Sequence, residues 1–248
     1  MKLAPRLTAR LWRYLARGAL LAWVLVAAPG AASGEGIVSA RYVLPTDRYT
    51  HGILGDAIEW GGLEIRTSAG ALLRITLPSD RVFEDTEPRL IDVDLDGDAE
   101  VVVVETHIPR GARLAIYDAT GLLAATPHIG RTNRWLAPLG GADLDGDGRV
   151  ELAYVDRPHL AKELLVWRFW EGGLRLVARA PGLTNHRIGE TDIAGGIRDC
   201  GEGPEMITAT ADWSAVVATV LSGNTLNLRR IGPHLNRQSF ADALACRL

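Results

Sequence analysis

The chain has 248 residues, 47% hydrophobic and 23% charged, enough apolar side chain to bury a core, which excludes intrinsic disorder over most of its length. Its 27 basic and 30 acidic residues leave a net charge of -3, which gives no electrostatic ground for a nucleic-acid partner and excludes a general polyanion binder. Twenty-seven glycines beside only three phenylalanines and seven tryptophans point to many turns and to few aromatic side chains in the core.

At the N-terminus, Lys2, Arg6, Arg10, Arg13 and Arg17 precede an apolar run from Ala19 to Ala28 and the small residues Pro29-Gly-Ala-Ala-Ser33. That order reads as a secretory signal peptide over residues 1–32, cleaved after Ala32. A membrane anchor is the poorer reading, because the run is far shorter than the ~20 apolar residues a bilayer requires and a Pro-Gly break follows at once. The mature part, 33–248, is then expected to be periplasmic or secreted, monomeric and without a membrane span. In an oxidising compartment the two cysteines, Cys200 and Cys246, are expected to form one structural disulfide. On the chain-entropy model, closing that loop contributes about 3 to 4 kcal/mol.

Beyond the leader, glycines recur at 70, 121, 172 and 223, a constant spacing of 51 residues. Each follows a short β-prone run, such as Leu63-Glu-Ile65, Leu114-Ala-Ile116 or Leu165-Val-Trp167, and precedes another. Acidic stretches beginning at Asp92, Asp143 and Asp192 come before the runs Val101–Val104, Leu152–Val155 and Met206–Ala209. One module thus reads strand, acidic loop, strand, loop, strand, glycine turn, strand. The fold class expected is all-β: a small β-propeller of about four modules near 37–85, 86–135, 136–187 and 188–248, each a four-stranded antiparallel blade. Closure into a ring is expected as well, since it protects strand edges that an open stack would leave exposed.

Two acidic loops are specific. Asp92, Asp94, Asp96, Asp98 and Glu100, and Asp143, Asp145, Asp147, Arg149 and Glu151, occupy positions 1, 3, 5, 7 and 9, with glycine at position 6. Carboxylate oxygens at odd positions on a tightly bent backbone suit Ca²⁺, with Asp98 and Arg149 offering a backbone carbonyl. An EF-hand is excluded because position 12 holds Val103 or Tyr154 instead of a bidentate glutamate. The stretch from Asp192 lacks carboxylates at positions 3 and 5 and is not expected to hold a metal; the disulfide is expected to serve as its staple.

On these residues the chain resembles the FG-GAP and VCBS repeat proteins, calcium-loop propellers that include the integrin alpha-subunit head. It lacks the phenylalanine-glycine pair, and its first module keeps only Gly55-Asp56 near the expected loop. The resemblance implies structural calcium and a binding or adhesion role, with an extracytoplasmic protein or a glycan as partner.

At the end opposite the acidic loops, the pattern places Glu59, Trp60, Glu105, His107, Arg134, Trp135, Asp156, His159, His186, Arg187, Asp212 and Trp213. Two readings compete there. Either tryptophans and arginines form a ligand pocket, or each arginine pairs with an acid of the neighbouring blade and the face is structural. A carbohydrate-active alternative uses Glu105 and Asp156 as a glycoside-cleaving acid and base, which requires a separation of about 5 to 9.5 Å. His51, His107 and His159 lack the spacing of a zinc set. No nucleophile elbow, phosphate loop or dinucleotide fingerprint is present, and no catalytic residue is assigned.

Overall fold

β-branched runs punctuated by glycine and aspartate favour short strands, and the computed structural model, which describes residues 36–248, builds them into four antiparallel layers. The first layer contains β1 (Ile37–Thr46), β2 (Glu59–Thr67) and β3 (Leu72–Thr76), with β2 in the middle. In the second, β4 (Arg81–Phe83) and β5 (Arg89–Ile91) share one edge of β6 (Glu100–His107), and β7 (Gly111–Asp118) and β8 (Gly121–Ala125) follow outward. The third runs in order through β9 (Leu136–Ala142), β10 (Glu151–Asp156), β11 (Glu163–Trp170) and β12 (Gly173–Pro181). In the fourth, β13 (Leu183–Thr184) and β14 (Gly196–Asp199) share an edge of β15 (Pro204–Thr210), followed by β16 (Ala215–Ser222) and β17 (Thr225–Pro233). A short helix, α1 (Gln238–Leu244), ends the chain.

The all-β architecture and the glycine period agree with the sequence pattern. Gly70, Gly121, Gly172 and Gly223 all have positive φ; three sit in the tight turns between the two outermost strands of their layers, and Gly121 opens β8 directly after such a turn. The first layer differs from a full blade. Leu63 and Ile65 lie in β2, whereas the corresponding Leu114 and Ile116 lie in β7, the third strand of its layer. Thus β1 is a second strand, and no innermost strand precedes it among the described residues. β4 falls within the stretch 37–85 but pairs mainly with β6, touching the first layer through the single pair Trp60–Phe83.

Alternation along each strand sends successive side chains to opposite faces. Val101 and Val103 pack on Leu63 and Ile65 of the first layer, while Val102 and Val104 pack towards Leu152 and Tyr154 of the third. Leu164 and Val166 meet Met206 and Val217 across the next interface. The central strands are therefore buried on both sides, which is why β6 reads as a nearly unbroken apolar run.

Closure into a ring is not what the end layers show. The outward face of the fourth layer, Ile207, Ala209, Val216 and Ala218, is covered by Phe240 and Ala243 of α1. The outward face of the first layer is polar, with Glu64 paired to Arg41 and Arg74. A helix at one end and, at the other, a buried Glu64 paired with two exposed arginines thus terminate an open, propeller-like series. The Cys200–Cys246 disulfide forms as expected, and Arg198 reinforces it by donating to the carbonyls of Ala243 and Leu248 at 2.5 and 3.1 Å.

First and last modules do meet through loops. The β1–β2 connection, residues 47–58, crosses the inner strand edges: Tyr49 Oη accepts from the Asn133 amide at 2.9 Å, Ile53 joins the core between the second and third layers, and its carbonyl accepts from the Gly189 amide at 3.1 Å. The signal segment 1–32 lies outside the described residues. No helix among the described residues is long and apolar enough to cross a membrane.

If α1 is the cap of the fourth layer, Phe240→Ala should destabilise the protein by about 3 to 5 kcal/mol, read as a lower urea midpoint, because it uncovers an apolar sheet face as well as leaving a cavity.

Candidate functional site

The inner strands of the second and fourth layers are each broken, and the breaks turn polar side chains towards the middle of one end. Glu84 follows β4; its carboxylate is fully buried, accepting from Thr106 Oγ1 at 2.6 Å and contacting His51 Nδ1 at 2.5 Å, while its backbone carbonyl accepts from Trp135 Nε1 at 2.8 Å. His186 follows β13, with Nε2 on the Glu190 carbonyl at 3.0 Å and Nδ1 facing His159 Nε2 at 3.2 Å. Between them lies a cavity of about 250 Å³ whose wall includes His51, Ile53, Arg134, Trp135, His159 and Leu160.

Of the twelve residues expected at this end, Arg134, Trp135 and His159 line the cavity and His186 stands behind them, its ring edge-on to Trp135 at 4.9 Å. Burial, then the neighbouring His186, pushes His159 down to about 4, and burial lowers His186 as well. Most of the others are engaged elsewhere: Arg81–Glu105 and Asp80–His107 join residues of the expected modules 37–85 and 86–135, and the remaining pairs fall within one layer. Glu105 accepts from Arg81, Arg113 and Tyr117 at 2.7–3.0 Å; burial pushes it up, but those donors outweigh that and hold it below the ordinary range. Asp156 is clamped by Arg157 at 2.7–3.1 Å. Asp212 is held low by Thr210 Oγ1 and Ser214, the Arg187 guanidinium lies 3.9 Å over the Trp213 ring, His107 faces Asp80 at 3.1 Å, and Trp60 packs beside Tyr42.

The glycosidase pair is overturned by this placement. Glu105 shares its strand face with Val101 and Val103, towards the first layer, and Asp156 shares its face with Leu152 and Tyr154, towards the second. The second sheet itself stands between the two carboxylates, and both are already neutralised by arginine.

At the opposite end the two acidic loops have one hydrogen-bond plan. Gly97 and Gly148, both with positive φ, donate to Asp92 Oδ2 and Asp143 Oδ2 at 3.0 and 2.9 Å, and the amides of Val93 and Leu144 donate to Glu100 and Glu151 at 2.9 Å. Asp92, Asp94 and Asp96 can each bring an oxygen within 4.8 Å of the others, as can Asp143, Asp145 and Glu151. Oδ1 of Asp92 and of Asp145 is buried without a partner, which a cation would satisfy.

Their counter-charges differ. Arg168 of β11 reaches Asp145, Asp147 and Glu151 at 2.7, 3.1 and 2.5 Å, and Arg149 pairs with Asp147 while lying 4.0 Å over Trp170. No lysine, arginine or histidine pairs with the first loop among the described residues. Burial, then the charges of Asp94, Asp96 and Asp92, pushes Glu100 up to about 7. Asp98 joins this loop but stands outside the closest trio. In the fourth layer the corresponding turn begins at Asp199, not Asp192: Asp199 Oδ1 accepts from Gly201 and Gly203, whereas Asp192 pairs with Arg237 before the strand begins.

Residues 92–154 match the family model of the FG-GAP-like repeat. The match spans the second layer from its acidic loop through the acidic loop and central strand of the third, the segment where the resemblance is most specific. No curated protein matches the chain. Among solved structures, the crystal structure of exotype rhamnogalacturonan lyase YesX is similar at a TM-score of 0.45 and 16% identity, over 75% of this chain and 43% of that one. The chain thus spans less than half the length of that enzyme.

Outside the FG-GAP-like segment, the cavity's principal polar group escaped the sequence pattern. Neither His51 nor Glu84 belongs to a repeated position, and the Glu84-Asp85 pair within a β-prone run is the one signal the sequence carries for them. Glu59 is buried near them, and burial, then the charges of Glu84, Asp56 and Asp85, raises it to about 9. The native state therefore holds a proton there that an unfolded carboxyl, near 4.5, has lost, so its contribution to stability falls as pH rises from about 4.5 to 9. Glu59→Gln should melt like the native protein near pH 4.5 and progressively higher than it towards pH 9, as followed by circular dichroism.

Proposed function

We propose that this chain is an extracytoplasmic FG-GAP-type binding module in which calcium stiffens the acidic end and the opposite end presents the ligand surface. The observation that carries the reading is the first acidic loop: three aspartates converging within 4.8 Å, a buried unpartnered oxygen on Asp92, and no protein cation beside them among the described residues. That donor set is hard, oxygen-only and flexible, which suits Ca²⁺ better than a softer ion. Bound there, the ion supplies positive charge that offsets the mutual repulsion of Asp92, Asp94, Asp96 and Glu100. Asp143, Asp145 and Glu151 can hold a second ion, but Arg168 already supplies part of the same charge, so the loops differ in how much they need one.

Export is supported by the Cys200–Cys246 bond, a feature of oxidising compartments, together with the leader-like residues 1–32. A monomer binding a glycan or an extracytoplasmic protein fits an exported repeat module with one terminal face covered by α1 and the other polar.

Calcium should raise the melting temperature, and chelation should reverse the rise. Asp92→Asn should remove most of that increment and Asp143→Asn a smaller share. Superimposable melting curves with calcium and with chelator would count against the metal. A glycan array probed with the calcium-loaded protein tests the binding role separately.

A further inference from the structure

We propose that the cavity at the end opposite the acidic loops binds a small organic carboxylate, with the Arg134 guanidinium holding the carboxylate and His51 Nε2 accepting a hydrogen bond from a hydroxyl on the same molecule. This rests on reading that end as the ligand surface, and it names the ligand class.

Charge is the first argument. The lining comprises two arginines and no aspartate or glutamate. Arg157 is committed to Asp156 in a bidentate pair. Among the described residues, Arg134 meets only the carbonyl of the adjacent Asn133, at 2.8 Å, and has no carboxylate partner. The nearby guanidinia are occupied as well, Arg81 by Glu105 and Arg187 by Trp213 and Glu190. One guanidinium is thus left free to make the forked hydrogen bonds that a carboxylate accepts.

Shape and polarity narrow the class. About 250 Å³ accommodates one ring-sized molecule, smaller than a drug-sized ligand. Leu160 and Ile188 stand at the rim with 62% and 70% of their surface exposed, and Ile53 and Pro158 extend the apolar wall. Such a wall suits a hydrocarbon or aromatic body better than a bare inorganic anion.

His51 supplies direction. Its Nδ1 is fixed by the buried Glu84, itself oriented by Thr106, and Nε2 has no partner among the described residues although the ring lines the cavity. A carboxylate on Nδ1–H leaves Nε2 as an oriented acceptor. His159 and His186 satisfy each other along a chain ending on the Glu190 carbonyl.

The test is calorimetric titration of the calcium-loaded full chain with 4-hydroxybenzoate, 4-hydroxybenzamide, benzoate and inorganic phosphate. Saturable binding of 4-hydroxybenzoate is expected, with the amide and phosphate at least tenfold weaker, the loss typical of a hydrogen bond to a charged group. Arg134→Gln should weaken 4-hydroxybenzoate at least tenfold and leave the amide unchanged. Benzoate should bind the native protein about threefold more weakly than 4-hydroxybenzoate, a difference that His51→Phe should erase. No saturable binding, equal affinity for acid and amide, equal affinity for phosphate, or an Arg134→Gln variant with native affinity would overturn the proposal. Because Arg134 lies far from the acidic loops, its variant should keep the calcium-dependent rise in melting temperature, so failure here is distinct from failure of the binding-module reading.

Discussion

Two-sided burial of the central strands is the constraint on which the molecule depends. β6, β10 and β15 each place alternate side chains on opposite faces, and each face is apolar, so none of these sheets is stable without a neighbour. A series built this way has two terminal faces that must be dealt with. The chain treats them by different physics: α1 lays Phe240 and Ala243 on one, and the other carries polar groups neutralised among themselves. A closed ring would have matched the two faces to each other, and an Arg41–Glu64–Arg74 triad has no counterpart in the apolar face of the fourth layer.

The same glutamate recurs at corresponding sheet positions, and its neighbours change along the chain. Glu151 has Arg168, and Glu205 has Arg198 and Arg229, each at 2.8 Å. For Glu205 burial pushes the carboxyl up, but the two guanidinia more than offset it; for Glu151 burial prevails over a single one. Glu100 has none among the described residues, and burial with the charges of Asp94, Asp96 and Asp92 raises it. Backbone plan is therefore conserved between layers while the source of positive charge is not, a distinction that loop motifs alone do not carry.

Much of this was legible in residues. The glycine spacing located the turns because a positive φ has a residue signature, and the odd-position aspartates located the acidic loops for a similar reason. What escaped were features set by tertiary context. The fourth-layer turn starts at Asp199 because an interruption of the inner strand shifts its register relative to the 51-residue period, which points instead to the neighbourhood of Asp192. Glu105 and Asp156 matched in position along their strands, yet neighbouring sheets aim them at different interfaces, and only the stacking order shows that a sheet separates them. The cavity depends on Glu84 and His51, which meet across 33 residues with no repeat linking them.

The crossing made by residues 47–58 has a consequence for the order in which the molecule is completed. That segment leaves the first layer, yet its anchors are the Asn133 amide, the core between the second and third layers, and the Gly189 amide. A chain emerging N-terminus first can pair β1 with β2 early, since those contacts are local, but the 47–58 segment has all of its anchors only once Gly189, more than 130 residues beyond Ile53, has arrived. The cavity wall is thus assembled from segments far apart in the chain, His51 and Ile53 near its start and Ile188 well beyond, so a product truncated before residue 188 lacks part of that wall.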